Sequence, residues 1–333
     1  PGELGKELAE MYECMPHYYR VTNRHGQGAE TIMRAEALFY QGRVTDAHIE
    51  LERAYAQVGG NGQINMALCC DFLSRRLSLH TDVEQRYTFE ERYAALLRYH
   101  DASWINLWSA TSAYYHALRG EKDKIPEIFS QHRLSAVNML APGKPMMEMI
   151  ENQVYLAQGA YAKVVVRSAE LLAACEAMHY ALVALHIRIQ TAAAYARLGK
   201  PETAHTWLQK ALSDAGPDGL VMPFAENYSL LKPLLARETR SAFTARITAL
   251  GEAAQARGAE RLRPAAFRAL TAREFEIVEL MVQRLSNREI AQKCYLSEGS
   301  VKQYVNQIYS KLHIEGDTRT KRAQLAALLH EKT

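Results

Sequence analysis

Leu285-Ser-Asn-Arg-Glu-Ile-Ala-Gln-Lys-Cys-Tyr-Leu-Ser-Glu-Gly-Ser-Val-Lys-Gln-Tyr-Val-Asn-Gln-Ile-Tyr-Ser-Lys-Leu312 is the stretch on which the reading of this chain turns. It predicts a short helix, a tight turn and a second helix. Ser286 or Asn287 can cap a helix whose inward residues are Ile290, Ala291 and Cys294, and Ser297 can cap another with Ser300 at its third position. Only Tyr295 and Leu296 lie between. In the second helix Val301, Val305, Ile308 and Leu312 recur at helical spacing, which places them on one buried stripe. Gly299, Lys302, Gln303, Asn306 and Ser310 are left facing out. A helix that offers Lys, Gln and Asn near its N-terminal end, braced by a capped partner helix, is what major-groove readout requires.

The charge of the chain is arranged around this stretch. Residues 259–333 hold 13 Lys and Arg against 9 Asp and Glu, whereas residues 1–258 hold 27 against 28. The basic excess is therefore C-terminal and modest, so nucleic-acid affinity would rest on a few placed contacts and on dimerisation rather than on a broad basic field. Five cysteines at unpaired spacings read as reduced cytosolic thiols. The most apolar segment, Leu171 to Ile189, is broken by Glu176, His179 and His186. A cytoplasmic location without a membrane span or signal peptide is expected, and a first residue of Pro rather than Met suggests a fragment of a longer protein.

Working outward towards the N-terminus, nearly every segment from Leu4 to Arg246 has helical period and none alternates like a strand, so the fold is read as all-α. Breaks recur at Gly42, Gly120, Gly159 and Gly199, at intervals of 78, 39 and 40 residues, the first being two periods of 39. Each glycine is expected to end one helix in a left-handed cap, after which the next helix packs back antiparallel. A degenerate break is expected near Thr81, and a last hairpin should run to about Arg257. Stacked hairpins of this kind build a superhelix with a concave inner surface.

The domain boundary is placed in Leu250 to Arg268, which shifts to small and charged residues with Pro264 as a break. The expected organisation is a helical-repeat solenoid over 1–250, a linker over 251–268 and a four-helix domain over 269–333. In the last, Thr271 and Glu274 form a capping box, and a final helix from about Arg319 to Glu331 carries Leu325, Leu328 and Leu329. These leucines either close the four-helix core or pair the helix with its twin in a homodimer.

The C-terminal quarter resembles the LuxR/FixJ-type helix-turn-helix domain through Leu270-Thr-x-Arg-Glu, Leu285-Ser-Asn-x-Glu-Ile-Ala, Leu296-Ser-x-x-Ser-Val-Lys and Ile308-x-x-Lys-Leu-x-Ile. Three positions depart from it: Arg284 replaces a usual Gly, Cys294 a usual Leu and Tyr304 a usual His. Segments Ala35 to Ala54 and Ala192 to Ala211 resemble tetratricopeptide-type hairpins. The order of domains is similar to the C-terminal half of the MalT-like large ATP-binding regulators. The resemblance implies a transcription regulator that binds an operator in double-stranded DNA, with Lys302, Gln303 and Asn306 as base readers. It implies Ser286, Asn287, Arg288, Ser300, Tyr304 and Lys311 as phosphate contacts.

No catalytic set emerges, and no cofactor or metal is expected. Gly143-Lys144-Pro145 lacks the leading glycine of a phosphate loop and has proline where Ser or Thr would bind magnesium. His179 and His186, seven apart, read as a structural pair on one helix face rather than a metal site. Trp104, Trp108, Tyr114 and Tyr115 cluster in one helix, where they either fill the core or line a surface for a small-molecule or protein effector. The competing function is an interaction scaffold whose helix-turn-helix contacts protein, against which the polar face of Lys302, Gln303 and Asn306 speaks.

Overall fold

The computed structural model describes residues 2–330 except 24–25, 60–62, 84, 100–101, 138–140 and 262–263, and every regular element among them is helical. Two compact units result, residues 1–255 and 256–333.

Unit 1 opens with α1 (Leu4–Val21). There follow α2 (Ala29–Tyr40) with α3 (Val44–Gly59), then α4 (Ile64–Ser78) and α5 (Phe89–Leu96), and α6 (Ala102–Arg119) with the short α7 (Glu127–Ser130). Next come α8 (Lys144–Gln158) with α9 (Tyr161–Ala177), α10 (Ala181–Arg197) with α11 (Pro201–Ala215), α12 (Met222–Glu226), α13 (Tyr228–Leu235) and α14 (Ala242–Arg261).

The four spaced glycines all lie at the helix ends in the left-handed region, with φ of +73° at Gly42, +71° at Gly120, +83° at Gly159 and +71° at Gly199. Beyond each, the next N–H reaches back five residues: Arg43 to Leu38 O at 2.9 Å, Glu121 to His116 O at 2.9 Å, Ala160 to Tyr155 O at 2.9 Å and Lys200 to Tyr195 O at 3.0 Å. These bonds satisfy carbonyls that the helix leaves open, and only glycine adopts this φ without a Cβ penalty. After Gly120 the returning helix is merely the four-residue α7, so that hairpin is truncated.

The hairpin array also turns back on itself, beside an open pocket of about 1050 Å3 lined from α1, α2, α9, α10 and α11. A Cβ on Gly42 would lie 2.7 Å from Val221 Cγ2 and 2.8 Å from Leu250 Cδ1, which shows how closely the first hairpin meets the last helices. At the centre, the buried Arg76 of α4 forms a bidentate pair with Glu226 of α12, at 2.7 and 2.9 Å. Tyr40 of α2 accepts from Arg76 at 2.8 Å, and Tyr114 of α6 donates to Glu226 at 3.0 Å. His186 of α10 lies beside Tyr114. Five inner helices thus place polar groups on one axis.

Two further expectations change. The linker was to begin at 251, yet Gly251 is buried inside α14, where a Cβ would lie 2.3 Å from Tyr228 Cγ and helix continues to Arg261. Helix-favouring Ala, Glu and Arg carry the segment despite its small side chains. His179 does not share a helix face with His186: it is the left-handed residue between α9 and α10, with φ +56°. Among the described residues no group of three His, Cys, Asp or Glu side chains is arranged to hold a metal ion.

Unit 2 contains α15 (Ala272–Val282), α16 (Asn287–Cys294), α17 (Glu298–Lys311) and α18 (Thr318–His330). Its core is Phe267, Leu270, Ile277, Val278, Met281, Ile290, Val301, Ile308 and Leu325 with their neighbours. Glu331, expected to end α18, lies outside the described residues.

Candidate nucleic-acid interface

The helix starts of unit 2 are fixed by their own side chains. Thr271 with Glu274 and Ser286 with Glu289 form reciprocal capping boxes, and Ser297 Oγ accepts the Ser300 N–H at 3.0 Å. Each cap satisfies donors that the first turn leaves free, and so sets where the helix begins. The turn between α16 and α17 is closed by the Leu296 N–H, which donates to Ala291 O at 2.9 Å while Tyr295 takes φ +52°.

On α17 the buried side is Val301, Ile308 and Tyr309, with Val305 and Leu312 half-buried. Tyr309 extends the expected stripe by one position. Lys302, Gln303 and Asn306 are exposed together on the opposite side. Arg288 is exposed near the start of α16, and neither it nor Lys302 forms an ion pair within the unit.

The other expected contacts fare unequally. Ser286 is tied into its capping box, its Oγ donating to Glu289 Oε2 at 2.6 Å, and Asn287 is half-buried beside it. The hydroxyl of Ser300 lies 2.8 Å from that of Ser297. Tyr304 is half-buried against the core of the unit, so its ring is used in packing. Lys311 is corrected more strongly: its Nζ lies 2.8 Å from the nearly buried carboxylate of Glu274, across from α17 to α15. Burial works against ionisation of Glu274, but Lys311 and the Thr271 N–H and hydroxyl outweigh it and hold the carboxyl below its usual range. The charge of Lys311 is engaged in holding two helices.

Leu325 has no exposed surface and closes the core, while Leu328 and Leu329 pack partly against it, so a pairing surface built on Leu325 is ruled out. The aromatic cluster of α6 is mostly interior as well. Tyr114 and Tyr115 are buried, and Tyr115 OH accepts from Arg119 at 3.0 Å. Trp104 and Trp108 are half-buried, and the Trp108 indole donates to Phe89 O at 3.1 Å. Only the core-filling alternative fits Tyr114 and Tyr115. Sequence reasoning treated Tyr295 as a turn residue; it is 96% exposed, and a bulky aromatic between two caps was the available signal.

Residues 268–323 match the family described as bacterial regulatory proteins, luxR family. The C-terminal unit carries a LuxR-type helix-turn-helix domain. The transcriptional regulatory protein LnrK of Bacillus subtilis (strain 168) is 44% identical over 50 residues, which make up 15% of this chain and 23% of that relative. The shared stretch is thus less than a quarter of the relative's length. No solved structure matches the chain. The LuxR-type domain displays its polar α17 face free of intramolecular ion pairs, with helix starts on both sides of the turn aimed by their caps.

Proposed function

We propose that the protein is a sequence-specific, DNA-binding transcription regulator in which the helical hairpins of unit 1 sense or dock an effector and control a LuxR-type output. The observation that carries this reading is the exposed set Lys302, Gln303 and Asn306 on one side of α17, opposite the buried Val301 and Ile308. Lys302 donates to guanine O6 or N7, and Gln303 or Asn306 bonds adenine N6 and N7. Arg288, Asn287, Ser286 and Ser300 face phosphates with the helix N-termini, and Tyr295 joins them from the turn. The protein works in the cytoplasm and has no catalytic role of its own. No helix among the described residues is long and apolar enough to cross a membrane.

Selection of bound sites from random DNA tests the reading, and paired or single half-sites among them report whether the protein binds as a dimer. Lys302→Ala and Asn306→Ala should each relax preference at one base pair at a cost of about 1–3 kcal/mol, whereas Arg288→Ala should weaken all sites alike. Affinity that stays flat as salt rises from low to moderate would instead favour the protein-docking scaffold.

A further inference from the structure

Unit 1 holds a pocket of about 310 Å3 at the ends of α6, α8 and α10 and the start of α13, a volume within the range of small-molecule sites. Two of its lining side chains, Gln153 and Asn227, are only 4% and 1% exposed. They are held from behind. Gln190 Nε2 donates to Gln153 Oε1 at 3.0 Å, Gln153 Nε2 donates to Asn227 Oδ1 at 3.0 Å, and Asn227 Nδ2 donates to Pro223 O at 3.0 Å. A primary amide carries two N–H groups and two acceptor lone pairs, and Gln153 and Asn227 each commit one N–H and one lone pair to this chain. The buried wall can therefore still donate as well as accept, and the charge at the rim decides which occupant it suits.

Two arginines, Arg119 and Arg197, line the rim. The Arg119 guanidinium is steered by Tyr115 OH at 3.0 Å and by Glu121 at 2.8 Å. Arg197, exposed at the end of α10, has no ion pair or hydrogen bond. Glu226 also lines the pocket, but its carboxylate is fully buried and bound to Arg76 and Tyr114. At Gly120, φ is +71° and nothing lies within 4 Å of where a Cβ would be, which leaves the mouth open. Amides that can still donate, beneath two arginines of which Arg197 is unpaired, fit an occupant that brings acceptor oxygens and negative charge.

We infer that this pocket binds a small organic anion bearing a carboxylate or phosphate group. Arg197 and Arg119 hold the anionic head, and Gln153 and Asn227 donate to its oxygens. Such an occupant ties together the ends of four helices, and its role as the effector rests on the regulator reading above, although its binding does not.

The test is calorimetric titration of the full chain with 3-phosphoglycerate, citrate and inorganic phosphate, with glycerol as neutral control. Saturable binding of 3-phosphoglycerate or citrate is expected, the tighter of the two identifying the head group, with none for glycerol. Arg197→Ala, at an exposed position that leaves the fold intact, should lower that affinity roughly tenfold or more, as for loss of a charge-assisted contact. Arg237→Ala, outside the pocket, should leave it unchanged. Absence of saturable binding by both organic anions in the millimolar range overturns the inference, as does binding indifferent to Arg197→Ala. Inorganic phosphate binding as tightly as 3-phosphoglycerate removes the organic part of it. DNA titrations of the same samples without ligand separate the two readings: DNA binding without anion binding sinks only the pocket, and anion binding without DNA binding sinks only the regulator.

Discussion

Arg284 ends α15 with φ +63°, and its N–H and that of Leu285 close the helix by reaching back to Met281 O and Leu280 O. A side chain with a Cβ is strained there, which accounts for the glycine usual at this position in the resembling family. Arg284→Gly should stabilise unit 2 by about 1 kcal/mol, seen as a higher unfolding temperature in calorimetry. Lys311→Ala should act in the other direction. It removes the main partner of a carboxylate that is nearly buried, and with the Lys311 side chain 41% exposed the loss should be about 1–2 kcal/mol. Because the folded carboxyl of Glu274 titrates below its unfolded value, the pair contributes fully above the usual carboxylate range and fades as pH falls through the folded value. Melting curves at neutral and acid pH should show the variant's deficit shrinking in acid. The outward face of α17 was legible from spacing alone, but the Lys311 partner sits 37 residues away, beyond any helical period.

At the scale of elements, what the sequence made plain was local: three caps of unit 2 and the four left-handed glycines each depend on residues within one turn of one another. What it hid was the approach of distant helices. Gly42 looks like any other cap glycine, yet it also lies against Val221 and Leu250, contacts that only the turned-back array creates. Gly42→Ala therefore meets two costs, the left-handed backbone and overpacking, together about 2–4 kcal/mol. Gly120→Ala, with open space around it, should meet only the first, about 1 kcal/mol. Denaturant unfolding followed by fluorescence separates them, since Trp104, Trp108 and Trp207 all report on unit 1. Equal losses at the two glycines would contradict the close packing of the first hairpin on the last helices. Gly251 was misread as linker for a similar reason: smallness near a boundary is the same signal whether it loosens a chain or lets α14 press on Tyr228.

At the scale of the molecule, the axis of unit 1 makes its stability depend on pH. Burial, reinforced by Arg76, pushes His186 down to about 3 from 6.5, so it is neutral when folded. The unfolded chain binds the extra proton between these values, and stability falls as pH drops through that window by up to about 1.4 kcal/mol per pH unit for this one group. Glu226 adds to the loss at lower pH: burial opposes its charge, Arg76 prevails, and its carboxyl titrates below the usual range when folded. His186→Gln should flatten the decline between pH 6.5 and Glu226's own range, measured by tryptophan fluorescence in denaturant at a series of pH values. An unchanged slope would mean that other groups govern the acid limit.

The pair formed by Arg76 and Glu226 spans 150 residues of chain. An ordinary repeat array can grow from any neighbouring pair of hairpins, because each needs only the next. Here the early helices carry a guanidinium whose carboxylate is synthesised 150 residues later, so a nascent chain must hold α4 unfinished until α12 leaves the ribosome. Contacts of such separation slow folding and prolong exposure of apolar surface. Truncation before residue 226 should accordingly yield an aggregating fragment rather than a shorter solenoid, which makes the closure of unit 1 a checkpoint that the chain passes before the LuxR-type domain has been made.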